Sequence, residues 1–399
     1  MTTLPSARLA LGFSCVGHAF SHLLMLLYPT VVLSLESAWS MPFGDLIALM
    51  LAGQILFGAA AVPAGWLADR WSVPGMMAVF FLGTGGMCVA TGFADGPLTL
   101  GLGLAGIGLF AAIYHPVGIA WVTRDPATRG RALGINGVFG ALGTAGGAAV
   151  AGLLSTYFGW RWAFFVPGAV CVLVGVLLVA AMARGMFRDS HDTLRSAPAE
   201  ASRGDMVRAA MVLLVTIALS GLIYQSTSFA LPKLFDIRLD ALVDTAAGIG
   251  LLVSGVYGVS ALAQILGGWM ADRYDLKRVY IVCWAMQVPF LLLAVSLAGP
   301  LLLPVAALMV LTNTSFVPAE NSLFARFSPP SWRGTAFGVK FLISLGVSAL
   351  SVPLVGGLYD MAGEFEPLLL LLAAFAMAGA VAGTLLPSAR PTPAAQPAE

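Results

Sequence analysis

Charge is scarce in this chain. Asp, Glu, Lys and Arg make up 10% of its 399 residues, against 59% hydrophobic residues, and the mean hydropathy is +0.91. A soluble domain of this length needs far more polar surface, which excludes a water-soluble fold and leaves a polytopic membrane protein. Cysteine is scarce too: Cys15, Cys88, Cys171 and Cys283 lie far apart inside apolar runs with no CxxC pair. That excludes a disulfide framework and implies free thiols embedded in helices. No basic cluster suggests a nucleic-acid partner. No nucleophile–base pair, HExxH or phosphate-binding loop is present, so neither an enzyme nor a cofactor is expected. The net charge of +1 says little about partners, because in a membrane protein the distribution of charge outweighs its sum.

Long apolar runs fill the space those absences leave. A bilayer core roughly 30 Å thick takes about 20 apolar residues per helix. Runs of that kind fall near 9–35, 45–67, 74–94, 98–122, 131–157, 162–183, 209–232, 245–270, 278–298, 300–325, 334–358 and 367–387. The first is too long for a signal peptide and is expected to be retained as a membrane helix. The expected fold is an all-α membrane protein with twelve transmembrane helices in two pseudo-symmetric six-helix bundles. The bundles are 1–183 and 209–387, with a polar linker at 184–208 and a Pro-rich, disordered tail at 388–399.

Two internal echoes support the halves. Gly65-Trp66-Leu67-Ala68-Asp69-Arg70 recurs as Gly268-Trp269-Met270-Ala271-Asp272-Arg273, at an offset of 203. Pro126-x-x-Arg129-Gly130-x-Ala132-x-Gly134 recurs as Pro330-x-x-Arg333-Gly334-x-Ala336-x-Gly338, at an offset of 204. Near-equal offsets point to a duplicated unit. Sixteen of the twenty basic residues fall in the termini or the even-numbered loops. That distribution places both termini in the cytoplasm of a bacterial-type inner membrane.

The two six-helix halves, the central cytoplasmic loop and the G-x-L-A-D-R motif after helices 2 and 8 resemble the major facilitator superfamily of secondary transporters. The family pattern implies that Asp69 reaches the start of helix 11 near Gly334 and Asp272 the start of helix 5 near Gly130. With Arg70, Arg129, Arg273 and Arg333 they would latch the cytoplasmic side. Helix 5 carries a glycine ladder (Gly137, Gly140, Gly143, Gly146, Gly147) similar to the antiporter motif, with Thr144 where its proline is expected. Helix 4 lacks the embedded arginine of many proton-coupled members. More loosely, His18 and Tyr114-His115-Pro116 look like the fosmidomycin-resistance type of exporter.

Ionisable groups inside a membrane mark function by default. Glu320 is the one carboxylate deep in an apolar run and Lys340 the one ammonium. At 1.5 Å per residue both lie about 9–10 Å inside the cytoplasmic boundary, on consecutive antiparallel helices. They can pair, with Glu320, His115 or both as proton carriers; a structural ion pair is the plainer alternative. Candidate substrate contacts are His18, His22, Tyr114, His115, Asn136 (the repeat mate of Lys340), Tyr224, Gln225, Asn313, Asn321 and Lys340. Helices 3, 6, 9 and 12 are almost wholly apolar, apart from Gln287, whereas helices 1, 4, 7 and 10 hold most of the polar groups. The expected function is proton-coupled movement of a small organic solute, an anion given the histidines and Lys340, by alternating access. Export is favoured over uptake, and a monomer is expected, with the lipid bilayer, the solute and protons as partners. Two alternatives remain: a transition-metal transporter using the stripe Cys15, His18, His22 and Met25, and a non-transporting receptor on a transporter scaffold.

Overall fold

A computed structural model of the chain describes residues 5–122, 129–187, 202–328 and 333–387. Among them twelve helical spans alternate in direction. Span 1 comprises helices Pro5–Leu26 and Tyr28–Trp39; span 2, Phe43–Ala48, Leu51–Ala59 and Ala61–Arg70; span 3, Val73–Gly92; span 4, Pro97–Ala111 and Tyr114–Val122; span 5, Arg129–Phe158; span 6, Trp162–Ala183. The second half repeats the series with span 7, Arg203–Arg238; span 8, Ala246–Arg273; span 9, Leu276–Ser296; span 10, Leu302–Ser315 and Val317–Phe327; span 11, Arg333–Ser348 and Ser351–Ala362; span 12, Glu366–Thr384. Eleven are long and apolar enough to cross a membrane, and span 8 adds the shorter apolar stretch Ala246–Val259. Span 7 begins at Arg203, inside the stretch expected as linker. Residues 188–201 of that linker and the tail 388–399 lie outside the described residues.

Most interruptions have a sequence cause. Proline has no N–H to give to the carbonyl four residues back, and its ring clashes there, so a helix breaks just before it. Breaks fall at Leu27, Ala60, Ala112–Ile113, Phe316 and Ala349–Leu350, ahead of Pro29, Pro63, Pro116, Pro318 and Pro353 in that order. The break in span 4 therefore precedes Tyr114-His115-Pro116. The breaks in spans 4 and 10 stand at repeat-equivalent positions, and each introduces a short helix that carries part of its bundle's polar cluster.

Packing repeats between the halves. Span 3 lies along span 6 as span 9 does along span 12, and span 1 along span 5 as span 7 along span 11. Across the halves, span 5 packs on span 8 and span 2 on span 11. Glycine permits the first of these contacts. A Cβ added at Gly152 would stand 2.2 Å from the Ala246 carbonyl oxygen, and one at Gly250 would stand 2.3 Å from that of Ala148.

The end opposite the two Asp-Arg motifs is held shut by cross-bundle bonds. The Asp360 carboxylate accepts from Gly44 N at 3.2 Å, and Thr156 Oγ1 accepts from Ala247 N at 2.9 Å. Asp360 and Thr156 are themselves repeat mates, at an offset of 204. Each bundle thus caps the first turn of the other's second helix, whose backbone N–H groups have no partner within their own helix. Lys233 bridges Glu36 of the other bundle and Asp236 of its own, both at 2.8 Å, and Phe43 stacks edge-on against Tyr359 and Phe365. Ion pairs that keep contact with water are each worth about 0.2–1 kcal/mol, and these side chains are 12–34% exposed. Lys233→Gln is expected to shift the balance towards an open outer end by no more than about fivefold, read as a longer spin-label distance across spans 1 and 7.

Candidate functional site

Two polar clusters occupy the bundles, one in each. In the first, Asn136 of span 5 sits among side chains of spans 1 and 4. Its Nδ2 lies 2.9 Å from the Tyr114 hydroxyl and 3.2 Å from Ser14 Oγ, and Ser14 donates to the Gly118 carbonyl at 2.9 Å. The Asn136 backbone carbonyl lies 2.8 Å from His18 Nδ1, and His18 Nε2 lies 3.2 Å from His22 Nε2. A carbonyl only accepts, so His18 carries its proton on Nδ1 and offers a lone pair at Nε2, to which His22 donates. The His18 ring stacks on Tyr114 at 4.9 Å, and His115 closes the group with ring centres 5.6 Å from His18 and 5.4 Å from His22.

The glycine ladder seats this cluster. A Cβ at Gly140 would stand 2.5–2.8 Å from three atoms of the His18 ring, and one at Gly143 would stand 2.2 Å from the Ala19 carbonyl oxygen. Gly140→Ala must therefore turn the His18 ring off Asn136. The expected cost is about 1–3 kcal/mol of stability and a transport rate reduced several-fold, checked by thermal unfolding and proteoliposome flux.

The second cluster carries charge. Lys340 Nζ of span 11 lies 2.9 Å from Glu320 Oε1 of span 10, with side-chain exposures of 8% and 5%. Lys340 also donates to Asn321 Oδ1 and lies over the Phe324 ring. The other carboxylate oxygen, Glu320 Oε2, lies 3.1 Å from the Tyr280 hydroxyl, which is itself 2.7 Å from Thr216 Oγ1. One phenolic proton serves one acceptor at a time, so a proton arriving on Glu320 and the rotation of that hydroxyl are linked. The pair expected from depth alone is thus formed, and Asn136 does stand in the repeat position of Lys340 at the centre of the opposite cluster.

Two expectations change. Span 9, almost wholly apolar in sequence, joins the polar networks: Tyr280 reaches Glu320, and Gln287 accepts from Asn313 Nδ2 at 2.9 Å. The spacing Tyr280-x3-Trp284-x2-Gln287 on one helical face was the available signal. The Cys15–Met25 stripe does not converge. Cys15 Sγ lies 4.0 Å from Asn136 Nδ2, Met25 turns into a crevice with Met50 and Gln54, and His115 joins the two histidines instead. At the two Asp-Arg motifs, Arg70 and Arg273 stack over Trp66 and Trp269, at 4.1 and 5.9 Å. Asp69 and Asp272 are exposed. The side chains of Arg129 and Arg333 lie outside the described residues. Tyr224 and Gln225 face the seam between the bundles, at 3.4 Å from Thr144 and 3.5 Å from Gln54. Ser14, Gln54, Thr144, Thr216, Tyr257 and Tyr280 complete these networks, and none of them stands out in a hydropathy scan.

Comparison with known proteins fits this duplicated architecture. The family model described as Major Facilitator Superfamily matches residues 9–250 and 239–399, together most of the chain. The chain belongs to the major facilitator superfamily. This facilitator is 34% identical over 136 residues to the puromycin resistance protein pur8 of Streptomyces alboniger, a match covering 33% of this chain and 27% of that protein. It is 25% identical to an MFS-type efflux pump of Mycolicibacterium smegmatis, over 82% of this chain and 80% of the pump. To the D-galactonate transporter of Escherichia coli it is 24% identical, over 83% of this chain and 84% of that one. Among solved structures, a bacterial homologue of the human lysosomal transporter Spinster in an inward-facing, unoccupied conformation superposes with a TM-score of 0.72 at 15% identity, covering 96% of this chain and 95% of that one. The peptide transporter POT with sulfate gives 0.74, also at 15% identity, over 96% and 94% of the two chains. The facilitator is a secondary transporter, not an enzyme. The narrower likeness to fosmidomycin-resistance exporters is not shown by these matches.

Proposed function

We propose that this facilitator couples protons to the passage of a small organic anion, with Glu320 as the proton carrier and Lys340 as the anion contact. The observation that carries the reading is the buried Lys340–Glu320 pair at 2.9 Å, with a phenol on the second carboxylate oxygen. A proton on Glu320 removes the negative charge that holds the ammonium. Lys340 is then an unbalanced cation in a low-dielectric site, and an anionic solute relieves it. His18, His22, Tyr114, His115 and Asn136 supply the facing contacts from the first bundle, and Tyr224, Gln225, Asn313 and Asn321 those of the second. The two bundles rock about this level. Asp69, Arg70, Arg129, Asp272, Arg273 and Arg333 act at the cytoplasmic end, and the chain works as a monomer with both termini in the cytoplasm of the inner membrane. Similarity to a transporter of D-galactonate, an organic anion, supports the substrate class.

A second reading, export in exchange for protons, is favoured by the likeness to a puromycin resistance protein and an efflux pump. There a cationic solute competes with the proton for Glu320, so solute and proton move in opposite directions. Proteoliposomes separate the two. Under the first reading, an inward proton gradient drives an organic anion such as D-galactonate inwards with the proton. Under the second, the same gradient drives puromycin outwards. If neither solute responds to the gradient but both exchange across the membrane, the role given to Glu320 is wrong.

A further inference from the structure

The chain has four histidines, and three of them, His18, His22 and His115, place their ligand-capable atoms within 4.8 Å of one another. We propose that these three imidazoles form a binding site for one transition-metal ion of the zinc class. Three observations carry the inference independently of the transport reading.

The first is spacing. A tetrahedral ion about 2.0–2.1 Å from each nitrogen sets the nitrogens about 3.3 Å apart and the ring centres about 5.2 Å apart. Here His18 Nε2 and His22 Nε2 are 3.2 Å apart, and the three ring-centre separations are 5.0, 5.6 and 5.4 Å. The remaining nitrogen pairs lie within 4.8 Å and must close by at most about 1.5 Å to reach the same distance.

The second is orientation. A metal-bound histidine characteristically gives its other ring N–H to a carbonyl or carboxylate, which fixes the tautomer and aims the lone pair. His18 does this without a metal: its Nδ1 is bonded to the Asn136 carbonyl at 2.8 Å, and Gly140 leaves room for the ring in that pose. The His22 proton now directed at His18 Nε2 moves to Nδ1 by tautomer exchange, so the ion meets neutral rings. The third is chemistry. Imidazole suits late divalent ions, and three imidazoles leave a fourth position for water or an anion that offsets the charge.

Both helices that supply the ligands, spans 1 and 4, belong to one bundle. An ion there moves with that bundle as a rigid body and does not pass between the halves. It is therefore a resident or inhibitory ion rather than cargo. By tying span 1 to span 4 beside the break at Ala112–Ile113, it stiffens the point where span 4 bends.

The test uses the full chain, purified in detergent without a histidine tag and titrated with Co2+ as the probe. The expected result is one Co2+ per chain with the intense visible bands of four-coordinate cobalt, displaced by an equivalent of Zn2+. The bands should persist in His191→Ala and vanish in His22→Gln and His115→Gln. Absence of these bands, or bands that survive His115→Gln, would overturn the site. X-ray absorption of the Zn2+-loaded unmodified protein needs no variant. Three imidazole nitrogens near about 2.0 Å support the proposal, whereas a sulfur near about 2.3 Å assigns the ion to a cysteine and overturns it.

Discussion

Glu320→Gln stops proton-driven accumulation while leaving solute exchange in place: that is the expected result of changing one oxygen to nitrogen at the centre of the second bundle. Gln fills the same volume and still accepts from Lys340, but it cannot carry the negative charge or the proton. It therefore holds Lys340 in the state that the protonated carboxyl would produce. Counterflow of labelled solute should persist at near its normal rate, and accumulation under a pH gradient should fall to background. If both assays fail together, Glu320 serves only the structure. Stability gives a second handle. Removing one partner of a buried ion pair typically costs about 3–5 kcal/mol, because the other charge is left uncompensated, so Lys340→Ala should unfold many degrees earlier in detergent. Replacing both partners, Glu320→Gln with Lys340→Met, should recover most of that loss and none of the coupling. A purely structural pair would let the double variant recover both.

Gly152→Leu is expected to abolish transport with little loss of folding. Its Cβ would meet the Ala246 carbonyl oxygen at 2.2 Å, a backbone atom that cannot swing aside. Spans 5 and 8 must separate, and the paired caps Thr156–Ala247 and Gly44–Asp360 lose their reach. Within each bundle nothing is disturbed, so helical content and monodispersity should be retained. Spin-label distances across the outer end should lengthen, and a cysteine introduced at Ser254, whose hydroxyl accepts from Ala149 N at 2.9 Å, should react with a membrane-impermeant thiol reagent. An unchanged distance would mean that the outer closure does not depend on this contact.

Much of the fold was legible because hydropathy and duplication are long-range signals: twelve runs, two motifs and a near-constant offset suffice to pair span 3 with span 9 and Asn136 with Lys340. The Lys340–Glu320 contact followed from depth and from the antiparallel order of their helices. What was not legible depends on rotation about each helix axis. Tyr280 sits in a span that reads as almost wholly apolar, and only a packed structure turns its phenol towards Glu320. The Cys15–Met25 stripe failed for the same reason: four residues within one helix share a broad face, but the third imidazole comes from span 4, almost a hundred positions away. Cross-bundle caps were expected at the Asp69 and Asp272 end by family resemblance. The side chains those caps would meet lie outside the described residues, and a separate pair of caps stands at the other end, where Asp360 and Thr156 carry no motif to announce them.

The Lys340–Glu320 pair has a consequence for energetics across the bilayer. Its charges cancel, and its counterpart Asn136 is neutral, so at the level of the site the unloaded carrier transports no net charge when it reorients. A charge moved through the full field costs or gains about 2.3 kcal/mol per 100 mV. The empty return step therefore runs at the same rate whether the membrane is polarised or not. A proton taken up alone would make the moving centre cationic, whereas a proton together with a monovalent anion restores neutrality. The valence of the solute alone then decides whether the complete cycle draws on the voltage or only on the pH difference.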